Sequence, residues 1–189
     1  MADIASTRHD AADVADIRAS LLDVYAEVYA ADLDRPFHSV ATFAERLDAY
    51  ATSPGFACVV GWEGDVPVGY AFGYALRPGA RWWIGLTEDV PDTVTTETGT
   101  RTFALNELMV RARWRGTGAA RAIHDALVAD RPEPRVTLLV DPTHPAVVAL
   151  YERWGYHVLS PLRPAWSGAP LFLAMLWERE RRPDRIDPP

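Results

Sequence analysis

The chain has 189 residues, of which 49% are hydrophobic and 24% charged, and its formal net charge is -7. This composition excludes a wholly disordered protein. The negative charge disfavours a nucleic-acid or anionic-membrane partner and favours a cationic small molecule. The length suits one domain, and no apolar run of about 18 residues predicts a membrane span. Cys58, the single cysteine, excludes an internal disulfide. The single cysteine and the lack of a signal-peptide pattern at the N-terminus favour a cytoplasmic location.

The first fifty residues predict a short strand followed by two helices. Residues 1–7 fit a first strand of thin apolar content. Apolar side chains then recur at spacings of three and four over residues 9–31, which predicts the first helix. After a break, Ser39 is a suitable N-cap for a second helix over residues 40–50.

A β-hairpin is predicted next. Residues 56–62 form an apolar strand, Glu63-Gly64-Asp65 makes a tight turn, and residues 66–76 form the partner strand. Gly69 and Gly73 lie inside that second strand. Glycine within a strand marks a bulge or a close approach by another group.

A long connection, residues 77–102, is rich in turn formers, and loops of this length are usually functional or mobile. Its two tryptophans fit either an aromatic wall for a substrate or ordinary packing. Its acidic side chains either attract a cationic substrate or are simply solvated. The residues concerned are Trp82, Trp83, Glu88, Asp89, Asp92 and Glu97.

The centre of the chain predicts a strand over residues 103–110, a glycine-bearing turn, and a helix from Arg121 to about Ala129. This layout aims backbone N–H groups at an anion, because the first turn of a helix has no internal acceptors for them. Gly116 and Gly118 allow a ligand to approach closely. No lysine follows either glycine and Arg121 occupies the third glycine position, so neither a P-loop nor a dinucleotide fingerprint is present. The turn is predicted to hold a pyrophosphate.

The remaining elements complete a mixed α/β layer fold with a strand–helix–strand unit at its centre. Residues 136–140 predict a strand, and residues 146–154 a short helix that Gly155 ends in the left-handed conformation. Two closing strands and a charged tail, predicted to be disordered, follow at residues 156–159, 171–177 and 178–189.

Two segments resemble motifs of the GNAT superfamily of N-acetyltransferases. Arg113-x-x-Gly116-x-Gly118, followed by alanine, resembles its coenzyme A motif, Gln/Arg-x-x-Gly-x-Gly/Ala. Residues 144–156 resemble its later pattern, Asn-x-x-Ala-x-x-Leu-Tyr-x-x-x-Gly-Phe, with matches at Leu150-Tyr151 and Gly155-Tyr156. His144 stands where asparagine is usual, so no cofactor contact is assigned to it. The resemblance covers roughly residues 56–177.

The resemblance implies a GNAT-like acyl-CoA N-acyltransferase fold, in which a central mixed sheet is splayed at the cofactor site and carries helices on both faces. It implies one domain over residues 1–177, with a cofactor-binding core at about 103–157. Acetyl-CoA is the implied cosubstrate, and no metal is expected. Pyrophosphate would lie on the amides of Arg115, Gly116, Thr117, Gly118, Ala119 and Ala120. Pantetheine would bond the backbone of Leu108, Met109 and Val110, if that strand splays from residues 136–140 as in the family.

Glu107 is the candidate general base. It alternates in phase with Phe103, Leu105 and Met109, so it belongs to a largely apolar strand face. A carboxylate there is costly, and desolvation would raise its pKa toward a useful value. Family members often use a glutamate at this strand position. The alternative is a structural glutamate bonded to an arginine or to backbone. The neighbouring Asn106 either bonds backbone or lines the acceptor site.

Tyr151 is the candidate general acid. The resemblance implies that its hydroxyl donates a proton to the sulfur of the leaving thiolate, since family members often use the tyrosine of this motif in that way. The alternative is a tyrosine that simply packs on its helix beside Leu150 and Trp154.

The predicted function is direct transfer of an acetyl group from acetyl-CoA to a primary amine of a small molecule, expected to be cationic. Acetylation of a protein N-terminus or lysine is the nearest alternative. A non-catalytic acyl-CoA-binding regulatory module is the alternative of another class, because fold does not fix function. No nucleic-acid or membrane partner is expected, and a homodimer is left open.

Overall fold

The computed structural model describes residues 4–165 and 168–179, and within these ranges helices and strands mix in the predicted order. The strands are β1 Ala5–His9, β2 Ala57–Glu63, β3 Val66–Ala75, β4 Thr102–Val110, β5 Arg135–Val140, β6 His157–Leu162 and β7 Phe172–Glu178. The helices are α1 Val14–Val28, α2 Val40–Ala51, α3 Asp92–Thr95, α4 Ala119–Val128 and α5 Pro145–Arg153. Short 3-10 turns occupy Pro36–His38, Arg81–Trp83 and Ala112–Trp114.

The chain divides into two compact units. The first contains the described residues up to Ala75 together with Ala104–Arg131. The second contains Leu76–Phe103 and the described residues from Pro132 onward. Each unit combines strands with helices, which confirms the predicted mixed α/β class.

In the first unit, strands lie in the order β1-β2-β3-β4, and β2 pairs antiparallel with both β1 and β3. Cys58 lies opposite Phe72 and Val60 opposite Tyr70. Because side chains alternate along a strand, these four share one face. They form a core with α1 and α2, whose buried residues there are Val14, Ile17, Leu21, Val24, Tyr25, Phe43 and Leu47.

The opposite face of this sheet packs against α4. Gly61 is out of phase with Cys58 and Val60, and a Cβ placed on it would lie 2.8 Å from the Cδ1 atom of Ile123. The missing side chain therefore lets α4 approach the strand closely. Helices cover both faces of this part of the sheet, as predicted.

Gly69 confirms the prediction that a glycine inside the hairpin marks a close approach. A Cβ on Gly69 would clash with the carbonyl oxygen of Met109 and would lie 3.0 Å from the Cα atom of Val110. The glycine thus allows the end of β4 to lie tightly against β3. The irregularity in the β2–β3 ladder falls elsewhere, between Gly61 and Trp62.

In the second unit, β7 lies between β5 and β6 and pairs antiparallel with both. Helix α5 ends at Arg153, one residue earlier than predicted, and Gly155 adopts the predicted left-handed conformation with a φ of 98°. The long connection is not irregular throughout. It contains α3 and a 3-10 turn, and Leu86 forms an isolated bridge to Leu162 on β6.

The predicted start of the first helix was wrong. Strand β1 continues to His9, which pairs with Cys58, and α1 begins only at Val14. Between them the backbone N–H of Ala12 donates to the Asp10 carboxylate at 2.7 Å, which closes a turn. By contrast, Ser39 caps α2 as predicted by accepting a hydrogen bond from the Thr42 N–H.

Some predictions about domain organisation remain open. The tail predicted to be disordered begins one residue too early, because Glu178 belongs to β7, and residues 180–189 lie outside the described residues. The single domain over residues 1–177 and the splay of the sheet stay predictions.

Candidate functional site

The predicted anion cradle is a loop between β4 and α4. Gly116 and Gly118 have φ values of 75° and 95°, a region that other residues rarely adopt. Gly118 is the N-cap of α4, no side chain caps the helix there, and the first helical hydrogen bond runs from the Ala122 N–H to the Gly118 carbonyl. Nothing lies within 4 Å of a Cβ built on either glycine. The loop therefore exposes first-turn amide groups to an incoming anion.

The helix of the cradle begins at Ala119, two residues earlier than predicted. The motif also fits the sequence in a second register, Arg115-x-x-Gly118-x-Ala120. In that register the leading arginine stabilises the loop, because the Nε of Arg115 donates to the Val110 carbonyl at 3.1 Å. Arg113, the leading residue of the first register, has a largely exposed side chain. The structure favours the second register, which places the N-cap Gly118 at the first glycine position.

Arg111 anchors the end of β4 just before the cradle. Its guanidinium contacts the carboxylates of Asp23 and Glu27 on α1, and its Nε donates to the Pro67 carbonyl at 2.7 Å. Its backbone N–H donates to the Val68 carbonyl. This anchor was not predicted from the sequence. Its signal is two carboxylates four residues apart on one helix, which repel each other unless a cation lies between them.

Glu107 lies on β4 in phase with the buried Phe103, Leu105 and Met109, and its side chain is 18% exposed. Its carboxylate makes no hydrogen bond to any described residue. Burial raises its pKa to about 7, and the positive charge of Arg46 acts weakly in the opposite direction. This shift has the predicted direction and cause. A carboxyl group with this pKa changes its protonation state near neutral pH, as a general base requires.

The charge of Glu107 affects the pKa of four tyrosines, and Arg46 lies 4.0 Å from its carboxylate. Tyr25 lies on α1 and Tyr29 is the C-cap residue of that helix, while Arg46 and Tyr50 lie on α2 and Tyr70 on β3. We call these five residues and Glu107 the Glu107 cluster.

Burial raises the pKa of all four tyrosines, and the negative charge of Glu107 adds to each shift. Tyr50 illustrates the effect, with a pKa of about 12. The hydroxyl of Tyr70 and the Oδ1 of Asn106 are buried and have no hydrogen-bond partner among the described residues. Such groups are uncommon in folded proteins and mark places where water or a ligand binds. The sequence indicated Glu107 but none of the surrounding aromatic or basic residues.

Tyr151 lies on α5 in the second unit and is buried. Its ring makes edge contacts with Trp154, at 5.4 Å between centroids, and with Tyr156, at 5.5 Å. The packing proposed as the alternative to catalysis is therefore present. The role of Tyr151 as a proton donor stays a prediction.

A family model described as "Acetyltransferase (GNAT) family" matches residues 19–156. The chain belongs to the GNAT acetyltransferase family. The match confirms the family that the two motifs suggested. Members of this family transfer an acyl group from acetyl-CoA. No curated protein sequence matches this GNAT chain.

Solved GNAT structures share the fold at low identity. An aminoglycoside 6'-acetyltransferase type Ii has a TM-score of 0.63 and 17% identity, with 95% of this chain and 99% of that one covered. A putative GNAT acetyltransferase from Desulfovibrio desulfuricans has a TM-score of 0.63 and 16% identity, with coverages of 93% and 98%. A PaiA N-acetyltransferase from Thermoplasma acidophilum, in complex with coenzyme A, has a TM-score of 0.55 and 8% identity, with coverages of 93% and 99%. These likenesses establish the fold.

The long connection of this GNAT chain holds a buried ion pair. Glu97 Oε1 accepts hydrogen bonds from Arg135 Nη2, Trp83 Nε1 and Thr102 Oγ1, each at 2.9 Å. Glu97 therefore follows neither of the two alternatives, substrate attraction or solvation, because its carboxylate is buried and paired with Arg135. Trp83 is buried, which fits ordinary packing rather than an aromatic wall for a substrate. The three other acidic residues of the connection, Glu88, Asp89 and Asp92, are exposed.

Two features are absent from the described residues. None of their helices combines the length and apolar character needed to cross a membrane. No group of three or more His, Cys, Asp or Glu side chains among them is placed to hold a metal ion.

Proposed function

We propose that the chain is an acetyl-CoA-dependent N-acetyltransferase that passes an acetyl group directly to a primary amine of a small molecule. One observation carries this proposal. Glu107, a mostly buried carboxyl group with a pKa of about 7, lies on the strand that leads into the glycine cradle. A regulatory module that only bound acyl-CoA would have no use for a base at this point.

The cradle suits the cosubstrate chemically. The amides of Gly116 and of residues 118–120 would hold the pyrophosphate, because those of Arg115 and Thr117 already donate to the carbonyls of Ala112 and Trp114. The backbone of Leu108, Met109 and Val110 would bond the pantetheine arm. Open space at Gly116 and Gly118 and the uncapped start of α4 support this assignment. The PaiA structure in complex with coenzyme A supports it through the shared fold. Bound acetyl-CoA supplies an acetyl thioester.

The residues of the chain would then supply the proton transfers. Glu107 takes a proton from the ammonium group of the acceptor, which frees the nitrogen lone pair for attack. The N–C bond forms as the C–S bond breaks, and Tyr151 donates its hydroxyl proton to the departing sulfur. The nitrogen then loses its second proton to solvent, which leaves a neutral amide. Glu107 releases its proton to solvent, and Tyr151 regains one from solvent.

The acceptor class is tested by a mass-spectrometric screen that offers small amines and peptides in parallel. We expect small amines to gain about 42 Da, the mass that one acetyl group adds at a nucleophilic amine. Acetylation confined to peptides would contradict the small-molecule acceptor and support the protein alternative. Coenzyme A binding without any acetylated product would support the non-catalytic module.

Location and partners form part of the same proposal. We propose a cytoplasmic enzyme without a nucleic-acid or membrane partner, on the grounds of its single cysteine and net negative charge. The homodimer stays a prediction.

Replacing Tyr151 by Phe should lower kcat about 10- to 100-fold and leave the Kd of coenzyme A unchanged. The effect is moderate because a thiol has a pKa of about 8.5, so its anion leaves without full protonation. Steady-state kinetics and calorimetry measure the two quantities. Tyr156→Phe is the matched control, because Tyr156 is a buried tyrosine of the same aromatic group and the family pattern has Phe at its position. Equal kcat values for both variants would remove Tyr151 from the mechanism.

A further inference from the structure

Arg46 is the one positive charge in the Glu107 cluster, and its guanidinium is held firmly in place. Nη1 donates to the Phe37 carbonyl at 2.7 Å, and Nη2 lies 3.4 Å from the hydroxyl of Tyr25. The group stacks over the ring of Phe37, with 4.4 Å from Cζ to the centroid, and lies 5.7 Å from that of Phe43. Its side chain is only 20% exposed. The orientation of the guanidinium is therefore fixed before any ligand arrives.

Hydrogen-bonding capacity remains on this guanidinium. Apart from one bond each from Nη1 and Nη2, its N–H groups, including that of Nε, meet no acceptor among the described residues. Arg46 Nη2 lies 4.0 Å from Glu107 Oε1, which is an ion-pair distance but too long for a hydrogen bond. The largely buried guanidinium of Arg46, which has N–H groups without an acceptor, thus lies beside the largely buried carboxylate of Glu107, which accepts no hydrogen bond. Buried charges are normally paired and hydrogen-bonded, so both groups suit a ligand that carries both signs.

We propose that Arg46 binds a carboxylate on the acceptor and Glu107 binds the adjacent ammonium group, so that the acceptor is an α-amino acid. This inference rests on the proposed N-acetyltransferase function and names its substrate class. In an α-amino acid the ammonium and carboxylate groups stand on one carbon atom, which matches two protein charges only 4.0 Å apart. Arginine presents planar N–H pairs that fit a carboxylate well.

The same pair of charges disfavours a polycation as the acceptor, although the net charge of the chain favours a cationic small molecule. A polyamine would bring a further positive charge close to the guanidinium without supplying an anion for it. Of the acidic residues that suggested a cationic acceptor, Glu97 is already engaged with Arg135. Local charge therefore outweighs net charge, because electrostatic attraction falls with distance and is screened by salt.

Matched acceptors test the inference on the unmodified protein. Phenylalanine, leucine and alanine are each compared with their carboxamides and with the amines formed by removing the carboxylate. We expect kcat/KM for the preferred amino acid to exceed that of its carboxamide and of its amine by about 100-fold or more. Equal or faster acetylation of the compounds without a carboxylate would overturn the inference and leave the proposed function intact. Acetylation of no amine at all would overturn both.

Variants of Arg46 assign the preference to that residue. Arg46→Gln should reduce the ratio of kcat/KM for the amino acid to kcat/KM for its carboxamide to below about tenfold, mainly by raising KM for the amino acid. Arg46→Lys should keep part of this preference, because the positive charge remains. Arg18→Gln, which changes an exposed arginine paired with Asp48, is the control and should keep the full ratio. Calorimetric titration of the amino acid into the protein saturated with coenzyme A should show binding that Arg46→Gln weakens. Thermal unfolding identifies any variant that fails to fold. An unchanged ratio in a folded Arg46 variant would contradict the role of Arg46.

Discussion

Replacing Glu107 by Gln should lower kcat/KM for the amine acceptor about 10²- to 10⁴-fold, the usual contribution of a positioned general base. The amide keeps the size of the side chain but cannot take a proton from the ammonium group. Coenzyme A should bind the variant as tightly as the wild type, because the cradle amides of Gly116 and of residues 118–120 do not involve this side chain. Initial rates and calorimetric titration of coenzyme A separate the two effects.

The pH dependence gives this variant a second readout. Burial raises the pKa of Glu107 to about 7, so wild-type kcat/KM should fall as the pH drops below about 7 and the base becomes protonated. Glu107→Gln should not show this fall of kcat/KM at low pH, because its amide does not titrate. A wild-type profile that stays flat between pH 5 and pH 8 would contradict the assignment of the base.

The stability of the folded chain should fall as the pH rises through about 7, whereas the activity should rise over the same range. Because burial raises the pKa of Glu107 in the folded state from its ordinary value of 4.5 to about 7, the folded chain binds this proton more tightly than the unfolded chain. The resulting stabilisation is fully present below pH 4.5 and is lost as the pH rises through about 7. Above that pH, Glu107→Gln should be more stable than the wild type by up to about 3 kcal/mol, since one pKa unit corresponds to about 1.4 kcal/mol.

A matched substitution separates the chemistry of Glu107 from a general effect of removing a carboxylate. Glu45 is exposed on α2, so Glu45→Gln should change neither the rate nor its pH dependence. A folded Glu107→Gln protein with full activity would eliminate the proposed base, whatever its stability.

Replacing Gly118 by Asp should weaken the binding of coenzyme A about 100-fold or more. The substitution places a negative charge at the N-cap of α4, where the pyrophosphate is proposed to lie, and so sets like charges against each other. It also forces a side chain onto a φ of 95°. At coenzyme A concentrations that stabilise the wild type by about 2.7 kcal/mol, which is 100-fold above Kd, the thermal shift of this variant should vanish.

Two controls separate charge from backbone strain. Gly118→Asn has a side chain of the same shape without the charge, and asparagine tolerates the left-handed region, so this variant should retain more affinity than the aspartate. Gly79→Asp adds the same charge to a loop glycine that also has a positive φ, 72°, and has nothing within 4 Å of an added Cβ. It should leave the thermal shift intact. A full shift in Gly118→Asp would place the phosphates elsewhere.

Features that depend on a few neighbouring residues were predictable from the sequence. The Ser39 cap bonds the N–H three residues later, and Gly155 ends α5 because glycine adopts the left-handed conformation easily. The cradle was predictable for the same reason. The start of α1 was not, because the pairing of His9 with Cys58 joins residues 49 positions apart and keeps the backbone extended.

The candidate site was only partly predictable because it is assembled from four elements. The phase of Glu107 on its strand and the direction of its pKa shift follow from alternation and burial alone. Arg46 and Tyr25 were missed because their positions near Glu107 depend on how α1 and α2 pack on β3. The buried ion pair of Glu97 was missed for the same reason, since Arg135, its partner, lies 38 residues further along the chain.

A single-turnover experiment tests direct acetyl transfer most directly. Equimolar acetyl-CoA and protein are mixed with the best acceptor from the screen, and the quenched mixture is analysed by mass spectrometry. We predict that the acceptor gains about 42 Da, that one coenzyme A is released for each acetylated acceptor, and that the mass of the protein never changes. Acetylation of the protein before the acceptor, or coenzyme A binding with no acetylated product, would contradict direct transfer at this site.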